Sequence, residues 1–278
     1  MLLDTITADL KPINPYSITS EVIVKSYYPF TGIGDGGGGV FYFDGSMLKT
    51  SENGGFIIKS TYDASLYGCW IRIYDGGPIN VRWFGAKGDG TTDDTSTVQA
   101  AITAAGNGTV YFPAGIYLGN FVAEHCNFLG DGITTQLKSF SSSSPVLKLG
   151  YIPTSEMTFA KVSSLVIDGF DSANYGNGVE FDAASGGVHA GKWYFEDVKF
   201  MNCLKAVYKP KGNIINSFLN CHFSSNEFGF YAEHSASPYM HSGCDRIVGG
   251  HMDGCTKAAI YVKSEGQYGQ LILDGMNY

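Results

Sequence analysis

The chain has 278 residues, a net charge of −8 and only 16% charged residues, beside 14% aromatics and 37 glycines. An acidic chain with no Lys/Arg cluster has nothing to neutralise phosphates, which argues against nucleic acid and against an anionic membrane surface as partners. Sparse charge with abundant glycine and aromatics suits an all-β chain of many short strands.

The start, "MLLDTITADLKPINPYS", lacks a basic n-region and a long apolar core and does not read as a signal peptide. No apolar run approaches the ~20 residues of a membrane span. Pro12, Pro15 and Pro29 interrupt residues 1–30, which read as a polar, irregular segment suited to attachment. Residues 31–83 alternate short strands with glycine turns ("GGGGVFYFDG", "GCWIRIYDGG") and read as a small β-rich domain. Cys69, Cys126, Cys203, Cys221, Cys244 and Cys255 form no CxxC and no zinc spacing. They read as buried free thiols acting as small apolar residues.

"FGAKGDGTTDDTSTVQAAI" (84–102) then packs aspartates and threonines before a helical pattern. Val98, Ala101, Ile102 and Ala105 recur at helical spacing, so one face is apolar. Thr92 or Asp93 is placed to cap this helix, and Asp93 and Asp94 suit its positive end. Neither a Walker lysine nor an EF-hand ligand pattern is present, so the aspartates read as structural rather than metal-binding. "GNG" (106–108) ends the helix and "TVYFPAGIYL" (109–118) follows as strand.

The run "VRWFGAKGDGTTDDTSTVQAAI…GTVYFPAGIYL" resembles the opening of the right-handed parallel β-helix in pectate-lyase-like proteins, including bacteriophage tailspikes. The upstream "GDGGGGVFYFD…GCWIRIYDGGPINVRWFGA" resembles the β-rich neck that precedes the β-helix in many tailspikes. The resemblance implies an all-β fold with a short helix capping the first coil. It also implies a homotrimer attached to the virion tail through a baseplate or adaptor protein, made in the host cytoplasm and acting outside the cell on bacterial surface polysaccharide. No cofactor or metal is expected. The domains are then 1–30, 31–83 and 84–278. Because the chain stops at "LILDGMNY" with no polar cap, the β-helix is expected to be incomplete or covered by another subunit.

Internal similarity supports coils. "FEDVKFMNCLKAVYKP", "SFLNCHFSSNEFGFYAE" and "IVGGHMDGCTKAAIYVK" align, with anchors Phe200, Phe223, Met252 and Met276 spaced by 23, 29 and 24 residues. Stacking would put Val179, Val207, Phe230 and Ile260 in an inward column, and Glu180, Tyr208, Tyr231 and Tyr261 in an outward one. Cys203 and Cys255 fall two coils apart, roughly 9.6 Å, too far for a disulfide.

Stacked tyrosines beside carboxylates make a sugar platform, although tyrosines also simply suit strands. Lys199, His222 and His251 share another outward column and join Tyr208, Tyr231 and Tyr261 as candidate substrate-binding residues. Asp182, Glu233 and Glu180 are the candidate catalytic carboxylates, because glycoside hydrolysis needs an acid and a base a fixed distance apart. Glu227 and Asp253 read as turn residues. Two alternatives stand beside a depolymerising spike. One is a non-catalytic attachment module of a longer spike. The other is a secreted pectate lyase or polygalacturonase, against which the missing signal peptide and the neck count.

Overall fold

The computed structural model describes the chain except residues 30–33, 125, 142, 151–158, 172–173, 182–191, 211–215, 235–244, 265–269 and 278. It divides into two compact units, Met1–Lys87 with Ser96–Pro113, and Gly88–Thr95 with Ala114–Tyr278.

In the first unit a sheet runs in the order Leu2–Thr5, Val22–Ser26, Gly39–Leu48, Tyr67–Arg72, Ile57–Lys59. The first pair is parallel and the others are antiparallel. Residues 1–30 are therefore not an irregular segment. They supply two strands and the buried Ile6, Leu10, Val22 and Val24, which pack with Phe41, Ile58 and Trp70. The prolines misled because Pro12 and Pro15 lie between the strands, Pro15 opening a short 3-10 helix where its missing N–H costs nothing.

The glycine run of residues 36–39 wraps a buried arginine. The Arg72 guanidinium donates to the carbonyls of Gly55 at 3.0 Å and Gly37 at 2.9 Å, and also to that of Gly38. It lies 4.6 Å from the Phe41 ring centroid and 5.0 Å from that of Trp83. A Cβ on Gly39 would stand 2.1 Å from the guanidinium, and one on Gly38 would stand 2.2 Å from the Val24 carbonyl. Burial draws the Arg72 pKa down to about 10, so the group stays charged at neutral pH. Arg72→Met is expected to strand these carbonyls and cost about 3 kcal/mol, read by urea unfolding followed through Trp70 and Trp83.

The helix spans Thr95–Ala105 and buries Val98, Ala101 and Ile102, the face the periodicity marks. The strand Ile79–Asn80 pairs in parallel with Thr109–Phe112. That pairing groups most of the helix with the first unit, so the compact units do not divide at residue 83. Ahead of the helix, the Asp93 carboxylate accepts the Thr95 N–H at 2.9 Å, but the helix opens at Thr95, so the position directly before it belongs to Asp94 and not to Asp93. Thr92 is not a cap. Its hydroxyl donates to Asp89 at 2.8 Å, and Asp89 also accepts the Thr91 and Thr92 N–H groups. Asp94 is buried and accepts the Gly88 N–H at 2.9 Å.

The second unit is built of parallel ladders. One stacks Phe121–Ala123, Leu147–Leu149, Val179–Phe181, Lys205–Lys209, Phe228–His234 and Ala258–Ser264. Another stacks Asn127–Gly130, Phe159–Asp168, Lys192–Met201, Ser217–Leu219, Asp245–Val248 and Leu271–Asp274. A third carries His222–Ser224 and His251–Asp253 above the end of Lys192–Met201.

Single left-handed residues turn the chain between ladders. Ser164, Asp197, Asn220 and Gly249 occupy equivalent places on four successive rungs, with φ of 55°, 53°, 51° and 62°. Asn202, Ser225 and Gly254 repeat this at a second corner, with φ of 54°, 56° and 60°. Asn, Asp and Gly tolerate this conformation best, which is why they recur at fixed offsets.

Inside, Phe195 stacks on Phe218 at 4.8 Å and Phe200 on Phe223 at 4.9 Å. Phe223 pairs with Met252, as the anchors require. Met276 does not continue the column, because His251 bridges to Asn277 and the last rung is displaced by two residues. The inward column of Val179, Val207, Phe230 and Ile260 is in register. Among the described residues, Cys69, Cys126, Cys203, Cys221 and Cys255 are free. Cys244 lies outside the described residues. Asn226 sits between the rungs of Cys203 and Cys255, its Oδ1 accepting the Cys203 N–H at 3.0 Å and its backbone carbonyl the Thr256 N–H at 2.8 Å.

Candidate functional site

The outward column forms as the spacing requires. Glu180 pairs with Tyr208, Tyr208 with Tyr231, and Tyr231 with Tyr261. In-register parallel rungs put identical positions one above another, so rings at those positions meet. The Tyr231 and Tyr261 rings stack at 4.7 Å and 20°, while Tyr208 meets Tyr231 edge-on at 5.8 Å.

Glu233 lies two residues beyond Tyr231 on the same face and ties the column together. Its Oε1 accepts the Tyr231 hydroxyl at 2.7 Å and its Oε2 accepts the Tyr208 hydroxyl at 3.1 Å. The Tyr231 hydroxyl, against burial and helped by that of Tyr208 and by the charges of Lys205 and Lys263, holds the Glu233 carboxyl below its ordinary range. Glu233 is therefore a carboxylate at neutral pH, an acceptor or base and not a proton donor. Burial, reinforced by the Glu233 charge and hydrogen bond, pushes Tyr208 up to about 12. Tyr231 is raised as well, chiefly by its bond to Glu233.

These shifts have a signed consequence. A carboxyl depressed in the folded state adds stability above its unfolded value, and the contribution is lost as pH falls through the folded value. The tyrosine–carboxylate contacts are thus expected to persist at neutral pH and to dissolve only when pH falls below the ordinary carboxylate range. At the alkaline end Tyr208 is expected to ionise near 12, and Glu233→Gln to lower it only in part, because burial, the larger cause, remains. NMR titration of labelled tyrosines reads both.

Two further residues complete the ledge. The Lys205 ammonium lies 3.6 Å from the Tyr208 ring centroid and 4.1 Å from that of Tyr231. Burial lowers its pKa, opposed by Glu233 and Glu180. Phe228 braces Tyr231 at 4.9 Å and Tyr261 at 5.7 Å, both edge-on. Lys205 and Phe228 pair across rungs, so carrying the alignment of "LKAVYKP" with "EFGFYAE" three residues ahead of the tyrosines marks both.

Asp182 lies outside the described residues, and so do its separations from Glu233 and from Glu180. Glu180 is half-buried and accepts the Asn177 amide at 3.1 Å. Glu227 pairs with Lys257 at the rim. Lys199, His222 and His251 stack in register as expected, on a different ladder from the tyrosines. Asp253 is not a turn residue but closes the strand His251–Asp253, and it meets both histidines.

Residues 78–174 match the family model "Rhamnogalacturonase A/epimerase, pectate lyase-like", and residues 3–75 match the "Phage tail protein small four-stranded beta-sheet domain". Alginate lyase 7 of Azotobacter vinelandii is 66% identical over 41 residues, which is 14% of this chain and 5% of that protein. Tailspike protein gp49 of the Acinetobacter baumannii bacteriophage Fri1, a capsular polysaccharide depolymerase, superposes with a TM-score of 0.63 and 14% identity, covering 99% of this chain and 62% of that one. The enzymatically active domain of tailspike protein 2 from bacteriophage CBA120 gives a TM-score of 0.64 at 14% identity, covering 99% of this chain and 45% of that one.

The chain thus carries a segment that matches a phage-tail β-sheet domain ahead of one that matches a pectate-lyase-like domain, and it has the parallel β-helix fold seen in these tailspike structures. It spans less than two thirds of the length of these relatives.

Proposed function

We propose that the chain belongs to a bacteriophage tailspike that recognises and depolymerises a bacterial surface polysaccharide, capsule or O-antigen. The observation that carries this reading is the union, in one chain, of a phage-tail sheet domain over 3–75 and a pectate-lyase-like domain over 78–174. The first unit attaches the spike to a baseplate or adaptor protein. The β-helix faces the glycan outside the cell, and the working particle is a homotrimer assembled in the host cytoplasm.

The ledge of Tyr208, Tyr231 and Tyr261 is the glycan platform of this reading. Flat rings cover the C–H faces of sugars, while Glu233 and Lys205 meet hydroxyls and acidic groups. Glu233, ionised and partly exposed, serves as general base, and a second carboxyl supplies the proton to the leaving oxygen. Asp182, and less directly Glu180, are the candidates for that acid. Lys199, His222 and His251 extend the glycan contacts on the neighbouring ladder.

One observation favours a second reading. Both Glu233 oxygens are already engaged by tyrosine hydroxyls, which suits a binding carboxylate as well as a base. The chain would then be a binding and display module without turnover. Incubation with capsules and O-polysaccharides from a panel of hosts separates the two. The depolymerase reading expects new reducing ends or unsaturated uronate absorbance with at least one glycan. Binding to a glycan without cleavage supports the second reading.

A further inference from the structure

We propose that His222, His251 and Asp253 form a binding site for a divalent first-row transition metal ion of the zinc class. The parallel ladder makes the site. His222 and His251 are cross-strand partners on adjacent rungs, and Asp253 lies two residues beyond His251, so all three side chains leave the same face of the sheet.

Their donor atoms converge. His222 Nε2 lies 3.1 Å from Asp253 Oδ1, and His251 Nε2 lies 3.7 Å from Asp253 Oδ2. The three ligand atoms all fall within 4.8 Å of one another. A tetrahedral ion with bonds of about 2.0–2.2 Å holds its ligands roughly 3.3–3.5 Å apart. The two observed separations run to different oxygens of Asp253 and lie close to that span, and the set as a whole stays within 4.8 Å, so the ion requires the side chains to draw in around it.

The donor set selects the ion. Two imidazoles with one carboxylate suit zinc, nickel or copper, whereas calcium and magnesium prefer oxygen cages. The imidazole rings stand 5.3 Å apart at 75°, so they do not stack face to face, and both Nε2 atoms are directed to the same carboxylate. All three side chains keep 40–50% of their surface, leaving a coordination position open to water or to an oxygen of a ligand. Asn277, which bridges to His251 from the next rung, stands beside the group. The competing account is a plain imidazole–carboxylate hydrogen bond with no ion.

The site shares His222 and His251 with the proposed glycan contacts, but its test stands apart from that reading, since metal binding needs no polysaccharide. The full chain is titrated with zinc chloride by calorimetry, beside His222→Ala, His251→Ala and Asp253→Asn. Because the half-buried Cys255 is also a zinc ligand type, the series is built on Cys255→Ser. One ion per chain is expected in that background, with each further substitution weakening binding at least about tenfold. Calcium is expected to bind far more weakly than zinc. Zinc is also expected to shift the imidazole resonances of His222 and His251 and to raise the melting temperature. Absence of zinc binding, binding that survives loss of both histidines, or calcium binding as tight as zinc overturns the proposal. Circular dichroism of each variant confirms that a loss of binding is not a loss of fold.

Discussion

Glu233→Gln is expected to lower the turnover of a susceptible polysaccharide by about 10²–10⁴ while leaving KM within a few-fold. This is the effect of removing a general base from an otherwise intact site. The change keeps the shape of the side chain. A glutamine amide oxygen still accepts one tyrosine hydroxyl, but the second hydroxyl loses its charged partner and Lys205 loses a neighbouring charge. Steady-state kinetics on the glycan that scores in the host panel give the answer. A raised KM with turnover preserved would place Glu233 among the binding groups and turn the assignment toward the non-catalytic reading. Tyr231→Phe, which keeps the ring and removes the hydroxyl bonded to Glu233, separates stacking from carboxylate control.

Asp245→Ala is expected to destabilise the β-helix by about 3–5 kcal/mol, the effect of stranding one member of a buried ion pair. Lys209 points inward from its strand and is 1% exposed, as is Asp245. The lysine Nζ donates to Asp245 Oδ2, and Oδ1 takes the Asn216 backbone N–H at 3.2 Å and its side-chain amide at 3.1 Å. Burial draws the Lys209 pKa down even though Asp245 opposes it, so the unpaired ammonium has no comfortable state in the interior. The double change Lys209→Met with Asp245→Leu is expected to recover most of the loss, because replacing both charges removes the desolvation cost. The remainder is the orphaned Asn216 donors, about 1–3 kcal/mol. Trp193 fluorescence during urea unfolding reports on this unit, since the ring is 1% exposed within it. A cost below about 1 kcal/mol for Asp245→Ala would mean that water reaches the pair.

Much of the second unit was legible because a parallel coil turns sequence offsets into vertical neighbours. Val207 and Phe230 inward, Tyr208 and Tyr231 outward, and Phe200 under Phe223 all follow from alternation plus one repeat length. The same logic failed at Met276, where an irregular connection makes the last rung 26 residues long and not 24. Lys209 shows another limit. Alternation places it inward with Val207, but residue type argues for the surface, and only Asp245, 36 residues away, resolves the conflict. Lys205 and Asp253 were visible as residues but not as members of a group. Asp253 reads as a turn because glycine follows it, whereas the turn itself is made by Gly254 at φ 60°. In the first unit, prolines outweighed the alternation of "VIVKS", although they lie between strands.

The most direct test follows tyrosine resonances in the selectively labelled full chain as an oligosaccharide from the recognised polysaccharide is added. The predicted result is a saturable shift of Tyr208, Tyr231 and Tyr261 together, abolished by Tyr231→Ala. Saturable binding that leaves these three unmoved, or that Tyr231→Ala does not weaken, would contradict the assignment of the glycan to this ledge.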